Sequence, residues 1–165
     1  MRILQVLAAV AAIAICLTSM GGAASAQGAT GVVKERQDLM KGFFPKYLRD
    51  FSAVARGEST DISGIPAKAE AAAAEFRRIP AVFPAGSGRD VFPDSRSTPD
   101  VWAKRADFEA AAAKLATETD KLGEIAKAGN LDAVKAQVAS VGQACGGCHG
   151  GPARSGGPFR FEAPQ

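Results

Sequence analysis

The amino-acid sequence predicts an all-α fold, an antiparallel four-helix bundle, on three observations. Four segments place apolar residues at alternating three- and four-residue steps, the period of a helix with one buried face. No segment shows the strict apolar–polar alternation of a half-buried strand. Each helical segment ends at Gly, Pro or Asn where a stop is required. Four apolar stripes, each needing a partner face, close most simply on one another, and 165 residues suffice for one such domain.

The first 26 residues do not belong to that domain. "MRILQVLAAVAAIAICLTSMGGAASAQ" carries one Arg, an apolar run and small residues ending in Ala24-Ser25-Ala26, which predicts a secretory signal peptide over 1–26, cut before Gln27. The alternatives are an uncleaved membrane anchor and a lipid-modified Cys16; bulky Ile15 before Cys16 speaks against the second. The domain is then 27–165. Cleavage removes Arg2 and no acidic residue, leaving 19 basic against 17 acidic residues and a net charge of +2. With no Lys/Arg cluster, nucleic acid is not an expected partner. No later stretch is apolar enough to span a membrane. The mature chain keeps two Cys (145 and 148), one His (149) and one Met (40).

The first helix is expected over about 30–56. Its stripe is Val33, Met40, Phe44, Tyr47, Phe51 and Val54, with Gln37 filling one gap and Gly57 as the stop. The second is expected over about 63–79, with Ile65, Ala69, Ala72, Phe76 and Ile79 inward, Pro66 in its first turn and Pro80 ending it. "PAVFPAGSGRDVFPDSRST", residues 80–98, reads as a long loop, too apolar at Val82, Phe83 and Phe92 to be a free linker. "STPDVW" starts the third helix, with Thr98 as N-cap, Pro99 at the first position and Asp100 at the positive end of the dipole. That helix carries Val101, Phe108, Leu115 and Leu122 at heptad spacing, and "AGN" at 128–130 stops it and caps the next. The fourth begins near Leu131, and its stripe runs Leu131, Val134, Val138, Val141, Cys145, Cys148, so both cysteines continue a buried seam.

"QACGGCHGG", residues 143–151, concentrates the chemistry. A structural zinc site needs four ligands, and no second Cys pair is present. A redox dithiol sits at a helix start after a strand, whereas this pair sits at a helix end. A disulfide between residues one turn apart on a regular helix has poor geometry. A lone His is often only a surface or core residue. C-x-x-C-H is the signature of c-type haem attachment: the two thiols become thioethers and the adjacent His binds iron. This predicts one covalent haem c on Cys145 and Cys148, with His149 as an axial ligand. Met40, on the inward stripe of helix one and about 15 Å from that helix's start, is the candidate for the second axial position if helices one and four run antiparallel. Otherwise it fills core.

With "RQDLM" at 36–40, "FPAGS" at 83–87, "TPDVW" at 98–102 and "ACGGCH" at 144–149, the chain resembles the cytochrome c′ family, the class II c-type cytochromes, over nearly its whole mature length. The resemblance implies a periplasmic monohaem protein, monomer or homodimer, that is not an enzyme. One kind of member leaves the sixth iron position open and binds nitric oxide or carbon monoxide; the other places a Met there and carries electrons to and from redox partner proteins. The distal residue lies four after the Arg of the "RQ" pair, which is Met40 here, so the electron carrier is the expectation and gas binding the alternative. Arg36 is then expected at a haem propionate, or else as an exposed helix charge. One departure stands out. The family continues its last helix past the His, with an aromatic-basic pair about a turn later; here "GGPARSGGP" intervenes before Phe159 and Arg160. The helix should end near Gly150. Phe159 and Arg160 could fold back over the haem, or the Gly-rich tail could be a solvated end.

Overall fold

The computed structural model describes residues 22–151 and 156–161. The predicted signal over 1–26 lies outside them except for its last five residues. Helix α1 spans Gly22–Phe43, starting earlier than the apolar stripe suggested. It passes through a π-helical turn, Phe44–Leu48, into α2, Arg49–Ala55. Helix α3 spans Ile65–Arg77 and is followed by a 3₁₀ turn, Ile79–Val82. A long loop leads to α4, Asp100–Ala103, then α5, Arg105–Lys127, and α6, Leu131–His149. The rods α1–α2, α3, α4–α5 and α6 form the four-helix bundle: α3 packs along α5, α5 along α6, and α2 against α6. Among the described residues there is no strand, only isolated bridges.

The π turn corrects the stripe of the first helix. Pro45 has no N–H to give to the carbonyl four residues back, so the ladder re-forms with wider spacing, and the Arg49 N–H reaches Phe44 O. The face rotates by one residue. Phe43 is buried and stacks edge-on against Phe76 at 4.5 Å, whereas Phe44, expected inside, is 56% exposed. Beyond the turn the expected residues Phe51 and Val54 are buried again.

The α3 stripe lies in the core as expected, Ile65 through Ile79. Pro80, expected to end this helix, sits instead within the 3₁₀ turn that prolongs it. The Ala-rich centres of α3 and α5 let the two helices approach closely: a Cβ added at Gly123 would stand 3.3 Å from the Ala69 Cβ. Val101, Phe108, Leu115 and Leu122 are all buried, but the rod that carries them breaks at Lys104 (φ −116°, ψ 51°). A tertiary contact sits at the restart: Arg105 donates to the carbonyls of Phe83 (3.0 Å) and Pro80 (2.8 Å), holding the start of α5 to the 3₁₀ turn. Thr98 does not cap this rod. Its hydroxyl donates to the Pro158 carbonyl, so the tail occupies the expected cap. Gly129 (φ 76°) turns the chain, and the Asn130 side chain accepts from the Ala133 N–H at 3.0 Å, the expected stop and cap.

Candidate haem site

Residues 145 and 148 are three apart on α6 and therefore share a face. That face lines a cavity of about 420 Å³ that also takes in His149 from the end of α6 and Met40 from α1. The stripe that carried the cysteines into the seam has thus brought the predicted thioether and iron-binding residues to one space, while Arg36, the fifth predicted haem residue, is not in its lining. Six of the chain's nine phenylalanines line it as well: Phe43, Phe44, Phe76, Phe83, Phe108 and Phe159. A cavity this size suits a bound organic group. Phe44, lining this space yet half open to solvent, is the wall such a group would cover.

The thiols are not those of a redox dithiol. Burial raises Cys145, and burial with the neighbouring Cys145 pushes Cys148 up to about 11, so neither is a ready thiolate. Neither is in a disulfide. Burial, together with the Arg160 charge, holds His149 below the usual imidazole value. The neutral ring is the form that lends a lone pair to a metal. Among the described residues no three His, Cys, Asp or Glu side chains converge as a metal-ion cluster, so the four ligands of a structural zinc site are not assembled here. Two thiols on one face, an adjacent neutral imidazole, a thioether and an aromatic cavity fit a covalent haem. When bound, the haem supplies an iron that cycles between ferrous and ferric.

Arg36 is neither an exposed charge nor an unengaged one. It is 4% exposed and donates to Ser87 O (2.5 Å), Ser95 Oγ (3.0 Å) and Ser87 Oγ (3.2 Å), with its guanidinium 4.8 Å over the Phe83 ring. It clamps the long loop onto α1 and also borders a second cavity beside Met40 and His149. The loop is packed as expected at Val82 and Phe83, while Phe92 is only half-buried.

Residues 156–161 form a strap over the end of α6. The helix stops at Gly150 (φ 77°), and residues 156–161 cross back over it. The Phe159 N–H donates to Cys148 O (3.3 Å), the Thr98 N–H to Phe159 O (3.3 Å) and the Phe161 N–H to Arg96 O (2.8 Å). Phe159 is buried edge-on against Phe108 at 5.3 Å. The crossing requires glycine on both sides. A Cβ on Gly150 would collide with the Gly156 carbonyl, and one on Gly157 would lie 2.7 Å from Cys148 O. Phe159 and Arg160 thus fold back over the site; the spacing of the glycines is the sequence signal for that crossing. Phe43 was missed as a wall, and Pro45 was the signal that could have found it.

A protein-family model described as Cytochrome C′ matches residues 31–151. A cytochrome c′ of Rubrivivax gelatinosus is 34% identical over 98 residues, 59% of this chain and 75% of that protein. A cytochrome c-556 of Agrobacterium fabrum is 31% identical over 131 residues, 76% of this chain and 83% of that protein. Among solved structures, a ferrous variant of cytochrome c prime from Alcaligenes xylosoxidans with bound NO superposes with a TM-score of 0.68. It is 23% identical, over 82% of this chain and 97% of that one.

Proposed function

This chain belongs to the cytochrome c′ family and binds one covalent haem c, and from that premise we propose that it is a periplasmic one-electron carrier and not an enzyme. Cys145 and Cys148 would hold the haem as thioethers, and His149 would bind its iron. The observation that carries the reading is the position of Met40: the only methionine after the predicted cleavage site lines the same cavity as His149, from a different helix. The Met40 thioether, if it bound the iron together with the imidazole, would favour the reduced state. The cavity walls are largely aromatic, and the Phe159 backbone is tied to the Cys148 carbonyl at its cysteine end. The N-terminal signal supports export. No helix among the described residues is long and apolar enough to cross a membrane. The carrier exchanges electrons with redox partner proteins, as a monomer or a homodimer.

A second reading has a specific observation behind it. Similar solved structures are described with bound nitric oxide or carbon monoxide, which favours an open sixth position with Met40 as a steric gate. Absorption spectra of the haem-loaded chain and of its Met40→Ala variant separate the two. An electron carrier gives sharp, split reduced bands that carbon monoxide does not change, and Met40→Ala turns it into a carbon monoxide binder. If the reduced wild-type chain already shifts its bands with carbon monoxide, the carrier reading falls and the gas-binding reading stands.

A further inference from the structure

The first rod of the bundle is anchored separately on the two sides of its π turn. Before the turn, Arg36 is clamped to Ser87 and Ser95, and Phe43 is stacked on Phe76. Beyond it, Phe51 and Val54 are buried in the core and α2 packs against α6. Met40 belongs to the first half. It lies four residues after Arg36 and three before Phe43, on the face that both define. It lines the main cavity and the neighbouring one, and His149 lines both as well. His149 stands on α6, the helix against which the second half packs.

The two halves do not share one α-helical register. In the π turn the Arg49 N–H reaches back five residues to Phe44 O, so the turn holds one residue more than an α turn. Each residue of an α-helix turns the rod by about 100°. The same residues in one unbroken α-helix would therefore rotate the Met40 half against the α2 half by about 100°. With Phe51 and Val54 kept in the core, Met40 would leave the wall that it shares with His149. Pro45 is what keeps the ladder from running straight. It has no N–H for the Lys41 carbonyl four residues back, and its ring crowds that carbonyl. Between Gly22 and Ala55 it is the only proline.

We propose that Pro45 is a positioning residue for the iron site: through the π turn it sets the direction in which Met40 leaves the first rod, and so brings the thioether to the space that His149 also lines. The proposal rests on the carrier reading above, in which Met40 binds the iron.

The test compares three full-length chains with haem attached: wild type, Pro45→Ala and a deletion of Pro45. Pro45→Ala keeps the number of residues and restores the N–H, which opens the straight helix to the rod. Deleting Pro45 removes the proline and the extra residue together, so an unbroken α-helix then keeps Met40 and Phe43 in their present relation to Phe51 and Val54. The fraction of reduced haem whose bands shift with carbon monoxide is read for each, with far-UV circular dichroism to show that the bundle is folded. Pro45→Ala raises that fraction about tenfold or more, and the deletion returns it toward wild type. An unchanged fraction in Pro45→Ala overturns the proposal, because Met40 then keeps its place without the proline. An equal rise in both variants also overturns it, because the proline then serves only the stability of the rod. If Pro45→Ala does not fold, the deletion decides: a folded deletion chain that resists carbon monoxide as wild type does supports the proposal, and one that takes it up readily overturns it. A wild-type chain whose reduced bands already shift with carbon monoxide fails at the carrier reading, before either variant is measured.

Discussion

Replacing Gly157 with Ala tests the strap directly. Gly157 does not have a positive φ, so the substitution carries no backbone penalty of its own and its effect is steric. The added methyl would lie 2.5 Å from the His149 carbonyl carbon and 2.7 Å from the Cys148 carbonyl oxygen, both backbone atoms of a helix end that cannot swing aside. The strap must lift. Lifting it withdraws Phe159, 7% exposed, from its place against Phe108 and breaks the hydrogen bonds of its amide and carbonyl. An aromatic side chain of this kind buries about 150 Å² or more. At about 25 cal/mol per Å², full release costs about 4 kcal/mol. Partial accommodation brings the expected loss to about 2–4 kcal/mol. Denaturant unfolding of the haem-loaded protein, followed by far-UV circular dichroism, reads this number. Gly31→Ala is the matched control: Gly31 lies within α1, a Cβ there meets nothing within 4 Å, and the change should stabilise by up to about 1 kcal/mol. A loss below about 0.5 kcal/mol for Gly157→Ala would refute the close crossing, and with it the account of why both ends of the insertion are glycine.

Two further outcomes follow from groups outside the strap. Arg36→Met removes all three donors that hold Ser87 and Ser95 and leaves a carbonyl and two hydroxyls buried; a loss of about 2–4 kcal/mol is expected, with faster amide exchange over residues 84–95. Burial pushes the Glu75 carboxyl up, but hydrogen bonds from Tyr47 and Lys46, with the Lys46 and Arg78 charges, outweigh it and hold the group below the usual carboxylate value. A carboxylate depressed in the folded state contributes stability above its unfolded pKa and loses it as pH falls through the folded one. Tyr47→Phe should therefore cost about 1 kcal/mol near neutral pH, and the difference from wild type should shrink in acid; a constant difference across pH would mean that the Tyr47–Glu75 hydrogen bond at 2.8 Å is not what depresses the carboxyl.

The features legible in the sequence are those set by short-range repetition or covalent adjacency. Helical period places Phe51, Phe76, Phe108 and Val134 in the core whatever the rest of the chain does. Asn130 caps α6 through a bond three residues long. Cys145, Cys148 and His149 share one turn, so their spacing alone puts them on one face and names the group they hold. Met40 was reachable by extending the same stripe across a bundle.

What only the tertiary structure decided involves residues far apart in the chain. The exchange of Phe43 for Phe44 depends on how the turn at Pro45 re-forms against α3, and a stripe read at constant period cannot register a one-residue shift. Arg36 reads as a propionate ligand or an exposed helix charge until residues 51 and 59 positions later supply its acceptors. Thr98 satisfies every local rule for an N-cap, yet its hydroxyl is taken by Pro158, 60 residues on. The rod break at Lys104 has its partner contacts at Pro80 and Phe83, over 20 residues before it. Local propensities are worth about 1 kcal/mol or less per residue, and a buried hydrogen bond to a charged group is worth about 1.5–3 kcal/mol. Where the two compete, the distant partner wins, and those are the places where this chain departs from its own local signals.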